Sequence, residues 1–132
     1  MRRLLFVTPV LLCLAVSTAR AQDPTKADPK HYKVEFENAE VRVLHVSVGP
    51  HEKTNMHSHP ASVVVWLSDG RVKFTYPDGK TEEANAKAGK AEWSAPVTHS
   101  GENLSDKPLE VIQIELKSKP AAAKPAGAKK KD

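Results

Sequence analysis

Cysteine is all but missing: the 132-residue chain has one, Cys13, so no intramolecular disulfide can staple the fold, and stability must come from a packed core, with a bound metal as the other means. No segment shows an amphipathic helical stripe; even "EEANAKAGK", rich in helix formers, has no apolar face, which argues against a helical architecture. No repeat of solenoid length is present either. Long apolar runs are also scarce, because "LLFVTPVLLCLAV" is too short to span a bilayer comfortably and is broken by Pro9. Positive charge is short in the middle of the chain, where residues 22–116 carry eleven Lys and Arg against fifteen Asp and Glu, a balance of −4. The overall +4 therefore belongs to the two ends, and an acidic central body speaks against nucleic acid as a partner.

The ends have their own signatures. Met1-Arg2-Arg3, the short apolar stretch and the small-x-small triplet Ala19-Arg20-Ala21 predict a signal peptide over residues 1–21, cleaved after Ala21. Cleavage would remove Cys13 and leave a periplasmic or secreted protein with no stable membrane insertion. "KSKPAAAKPAGAKKKD", residues 117–132, carries a balance of +5 and no apolar periodicity, and is expected to be a disordered basic tail. Residues 22–34 read as a Pro- and Asp-containing leader, which leaves 35–116 as the folded domain.

Within that domain strand signals dominate. "YKVEF" (32–36), "EVRVLHVSV" (40–48), "SVVVWLS" (62–68), "RVKFTY" (71–76) and "LEVIQIEL" (109–116) are short, rich in Val and Ile and partly alternating. Weaker strands are expected at 80–84, 91–94 and 98–103. Asp69-Gly70 and Pro77-Asp78-Gly79 supply turn chemistry between them. Seven or eight short strands predict an all-β antiparallel sandwich or small barrel, with Val72, Phe74 and Tyr76 facing inward and room for one small ligand.

In an extended segment side chains alternate, so His57 and His59 of "HSHPASVVVWLSDG" point the same way and can reach one ion together. A third histidine, His99, lies in "WSAPVTHSGEN" and is expected to face them across the cavity. His51 and Glu52, in the loop just before the pair, are candidates for a further ligand. His45 is expected to be a hydrogen-bonded barrel histidine whose direction parity does not decide, Glu92 a surface charge, Trp66 and Trp93 core or cavity lining, and His31 a leader residue without a role.

These residues resemble the two motifs of small single-domain cupins of the type-2, RmlC-like kind. The first runs Gly49, seven residues, His57-Ser58-His59, three residues, Val63, six residues, Gly70; the second runs Gly89, six residues, Pro96, two residues, His99, three residues, Asn103. The resemblance covers residues 35–116 and implies a single antiparallel cupin barrel, a double-stranded β-helix of jelly-roll type. It further implies a divalent transition metal (Fe, Zn, Ni, Cu or Mn) held by His57, His59 and His99. The chain departs from the family where it keeps a metal-binding Glu: Val63 stands there and cannot be a ligand. Without a carboxylate the ion would keep its double charge and favour a small anionic molecule. Such barrels commonly pair through their outer sheets, so the resemblance also implies a homodimer. Three readings stand open on the sequence: a metal-dependent enzyme with oxygenase-like or isomerase-like chemistry, a non-catalytic metal or small-ligand binding module, and a metal-free barrel.

Overall fold

The computed structural model describes residues 22–118. The expected signal peptide and all but the first two residues of the basic tail lie outside these residues. A single helical turn, α1 (Pro24–Ala27), is followed by nine strands: β1 (Tyr32–Glu37), β2 (Val41–Val48), β3 (His57–His59), β4 (Ser62–Trp66), β5 (Gly70–Thr75), β6 (Thr81–Ala86), β7 (Ala91–Ser94), β8 (Val97–Asn103) and β9 (Leu109–Leu116). The expected all-β class is what is found. The eight segments read from the sequence all become strands, with ends displaced by a residue or two. Two elements were not foreseen: the helical turn, and His57-Ser58-His59 as a strand of its own.

The strands pair antiparallel in two sheets, ordered β1-β2-β9-β4-β7 and β3-β8-β5-β6. From β2 onward the chain changes sheet at nearly every connection, and β5–β6 is the one hairpin among consecutive strands of the four-stranded sheet. Its turn is Pro77-Asp78-Gly79: Gly79 sits at φ +82, a conformation that a side chain would strain, and the Asp78 carboxylate accepts the Lys80 amide at 3.0 Å. Leu44, Val46, Trp66 and Val111 from one sheet meet Val72 and Ala86 from the other in one buried cluster. Each buried side chain of this size stabilises the fold by about 1.5–3 kcal/mol, which is where a disulfide-free domain must find its stability.

Alternation assigns the faces. Along β9, Leu109, Val111, Gln113 and Glu115 are buried, whereas Ile112 and Ile114 point outward. A register shift between Val34 and Phe36 turns Phe36 to the outside, opposite Val43. Val43 lies opposite Ile114, Ile114 opposite Val63, and Val63 opposite Trp93. An apolar row thus crosses all five strands on the outer face, with Phe36 and Trp93 53% and 63% exposed at its ends. Among the described residues no helix is long and apolar enough to cross a membrane.

Candidate metal centre

β3 is only three residues long and lies along β8, with His57 opposite His99, Ser58 opposite Thr98 and His59 opposite Val97. The period of two sends both β3 imidazoles to the inside, and the register puts the third beside them. His99 therefore reaches the cluster from a neighbouring strand of the same sheet, where the sequence suggested approach from across the cavity. The available ring nitrogens of His57, His59 and His99 all lie within 4.8 Å of one another, a grouping that could hold a metal ion.

Two nitrogens stand out. His57 Nε2 and His59 Nε2 are buried and have no hydrogen-bond partner, and no other fully buried side-chain nitrogen or oxygen among the described residues shares that condition. Such atoms cost free energy unless something meets them. The opposite ring nitrogens are fixed: His57 Nδ1 donates to the Asn55 carbonyl at 2.6 Å, and His59 Nδ1 to Glu115 Oε1 at 2.6 Å. With its proton on Nδ1, each ring directs a lone pair from Nε2 into the cluster. The His99 ring stacks on Phe74, centroids 4.9 Å apart and 6° from parallel. Tyr32 covers His57 and His59 at 4.6 and 5.7 Å, and burial raises its hydroxyl pKa.

Burial pushes the His57 imidazole down to about 4, with the charge of His59 adding to the effect against the Asn55 bond, and burial pushes His99 down to about 3, helped by His57 and His59. Both rings are therefore neutral near pH 7, the state in which imidazole ligates. Where neutral nitrogens face one another without a proton to share, a cation is the chemically matched occupant.

A chain of charges braces the pair. Glu115, 2% exposed, accepts His59 Nδ1 with one oxygen and Arg42 Nε and Nη2 with the other, at 2.7 and 2.6 Å. Arg42 Nη1 in turn pairs with Asp23. On the other side Asp28, also buried, accepts the Asn55 amide at 2.9 Å and His31 Nδ1 at 2.8 Å, while His31 Nε2 faces Glu52 at 3.0 Å. The Gln22 carbonyl accepts the Ser58 amide at 2.9 Å, and the Ala27 carbonyl accepts the Asn55 side-chain amide at 2.8 Å. Residues 22–31 are thus a strap across the strand that carries two of the three imidazoles.

His51 is exposed, at φ +57, and bonds Asp106 at 2.7 Å; Glu52 is occupied by His31, Lys30 and the Gly49 amide, whose bonds hold its carboxyl down to about 2. Neither joins the cluster. His45 points outward, between Glu35 and Glu110. Glu92 accepts the Trp66 indole at 3.1 Å, and Trp93, although largely exposed and so no core residue, is among the residues lining the cavity. His31, expected to have no role, is buried between two carboxylates. Val63 does not face the histidines: Pro60 and Ala61 carry the chain to the other sheet and reset its parity, so that Ser62, Val64 and Trp66 face Glu115, Gln113 and Val111 inside. Val64, not Val63, stands in the apolar wall of the cavity.

Beside the histidines lies a cavity of about 230 Å³, with Val46, Val48, Val64, Trp66, Val72 and Phe74 in its walls. Val72, Phe74 and Tyr76 line it as the alternation of their strand predicted.

Among solved structures the chain is similar to a cupin domain from Bordetella pertussis Tohama I, at 26% identity and a TM-score of 0.62, covering 66% of this chain and 92% of that one. The described residues have the cupin fold. This cupin is also similar, at 14% identity and a TM-score of 0.52, to an RmlC-like cupin with a double-stranded β-helix fold from Methanocaldococcus jannaschii, over 64% of this chain and 77% of that one. Similarity extends to an oxalate decarboxylase at 23% identity and a TM-score of 0.50, over 71% of this chain but only 27% of that enzyme. No family model matches the cupin, and no curated protein does. These likenesses agree with the fold that the two motifs implied.

Proposed function

We propose that this cupin binds one divalent transition-metal ion (Fe, Zn, Ni, Cu or Mn) through Nε2 of His57, Nε2 of His59 and a ring nitrogen of His99, and presents it to a small molecule in the periplasm or outside the cell. The observation that carries this reading is the pair of buried, unpartnered Nε2 atoms, each aimed by a hydrogen bond on its far side. Bound there, the ion would act as a Lewis acid for one donor atom of a small molecule or water. With three neutral donors it would keep its double charge and favour an anionic donor atom. The protein's own residues hold His57 and His99 neutral, orient the His57 and His59 rings and keep the surroundings dry. Function is read as metal-dependent binding, because the titratable side chains of the cavity wall are engaged: Tyr32 with Thr54, Tyr76 with Glu82, and Glu92 with Trp66 and Lys90.

Elemental analysis of the purified protein beside His57→Ala and His99→Ala tests the site. The expected result is near-stoichiometric transition metal in the wild type and a strong loss in both variants. Equal, near-zero metal in all three samples would overturn the reading in favour of a metal-free barrel. We also infer a homodimer formed through the outer apolar row of Phe36, Val43, Ile114, Val63 and Trp93, since an exposed apolar strip running across a whole sheet is the usual mark of a protein partner.

A further inference from the structure

The cavity has almost no free polarity to offer a guest. Asn103 Nδ2 is spent on the carbonyls of Val48, Gly49 and Lys107, and its oxygen on the Ser105 amide. Gln113 donates to Ser62, Thr54 Oγ1 accepts the Gly101 amide, and the Trp66 indole donates to Glu92. No Lys or Arg is among the lining residues. What is left in the walls is mostly hydrocarbon and aromatic surface, and of the three imidazoles His99 lines the cavity, with the unpartnered Nε2 atoms of His57 and His59 grouped behind it within 4.8 Å.

Resting on the metal reading above, we infer that the cavity takes a small organic molecule with a single anionic head, a carboxylate, phenolate or thiolate, and an otherwise uncharged apolar body. The head sits on the ion, and the body lies against Val46, Val64, Trp66, Val72 and Val111. A second anionic group on the same molecule is rejected, because it would be buried without a donor to meet it. It would also meet the Glu92 carboxylate, which its bonds from Lys90 and the Trp66 indole keep ionised. The space suffices: an apolar cavity of roughly 150 Å³ admits benzene, and this one is about 230 Å³. Metal charge supplies attraction for the head, and wall chemistry selects the body.

The test is calorimetric titration of the zinc-loaded protein with acetate, butyrate, succinate and phenylacetate. Phenylacetate should bind at least about tenfold more tightly than acetate, the scale on which an apolar pocket rewards added hydrocarbon. Succinate, matched to butyrate in length but carrying a second carboxylate, should bind at least about tenfold more weakly than butyrate. Succinate equal to butyrate, or phenylacetate no tighter than acetate, overturns the inference. Val64→Phe, which fills the cavity, should bring the phenylacetate-to-acetate ratio toward one; if that variant does not fold, Ala84→Leu at the half-buried wall takes its place, and an unchanged ratio counts against the assignment. Failure of the metal reading shows separately, as zinc that does not bind. Fluorobenzene, which has no head, then examines the body of the site in metal-free protein: broadening of its fluorine resonance supports an apolar chamber, and a line as sharp as in buffer overturns it.

Discussion

Replacing Glu115 by Gln keeps the shape of the side chain and removes its charge. The carboxylate accepts three hydrogen bonds, from His59 Nδ1 and from Nε and Nη2 of Arg42. An amide has one oxygen, so its NH2 group must face either the imidazole N–H or the guanidinium. Hydrogen bonds to charged groups contribute about 1.5–3 kcal/mol each, and this side chain is 3% exposed, so solvent cannot repair the mismatch. The metal-free variant should lose about 2–4 kcal/mol of stability, read as a lower midpoint in urea. Zinc affinity should fall about 10–100-fold, the usual effect of removing the partner that orients a ligating histidine. Arg42→Met should destabilise by about 3 kcal/mol, near the low end for breaking a buried pair because the guanidinium is 17% exposed. Combining the two relieves the clash between amide and guanidinium, so the double variant should lose less than the sum by about 1–3 kcal/mol. An E115Q protein with wild-type urea midpoint and wild-type zinc affinity, or strictly additive losses in the double variant, would refute the reasoning.

Other tests probe different parts. Because His57 and His99 are held below the ordinary value of 6.5, at about 4 and about 3, the unfolded chain binds more protons than the folded one in that window. Stability of the metal-free protein should therefore be full above pH 6.5 and fall as pH drops toward 4, with a slope approaching two protons, about 1.4 kcal/mol per pH unit for each; denaturation curves across that range that coincide would count against buried neutral rings. Asp28→Ala removes the acceptor of the Asn55 amide and one partner of His31 and should destabilise by about 2–3 kcal/mol by urea titration, with weaker zinc binding because Asn55 aims His57. The double variant Phe36→Glu/Trp93→Lys should sediment as a monomer and keep its zinc stoichiometry where the wild type sediments as a dimer; a monomeric wild type defeats the proposed dimer. In metal-loaded protein a chelator should lower the melting temperature, since an ion that binds only the folded state stabilises it, and an unchanged melting curve would contradict a site at the histidines.

The sequence announced much of this and concealed the rest for physical reasons. Val- and Ile-rich segments separated by turn residues located the strands, and the two-residue spacing of His57 and His59 fixed their common face. Glu115 was hidden because β9 is apolar on both faces: Ile112, Ile114 and Leu116 on the outside mask the fact that Gln113 and Glu115 are the inner residues. The clue was two polar residues sharing parity with Leu109 and Val111. The direction of Val63 was not legible because a Pro at the crossing between sheets resets alternation, and periodicity carries no memory past such a break. Residues 22–34 read as a leader because polar, Pro-containing segments seldom bury anything; Asp23, Asp28 and His31 matter through partners that include residues remote in sequence.

Two of the three nitrogens ride on a strand only three residues long, pinned on one edge by β8 and on the other by a carbonyl of residue 22. So short an element has little stability of its own and is a natural place for local opening. Departure of an ion from this pair would not require the barrel to come apart. Lifting of the first ten described residues would be enough, so exchange lifetimes, more than equilibrium affinity, should record any change made near the amino terminus.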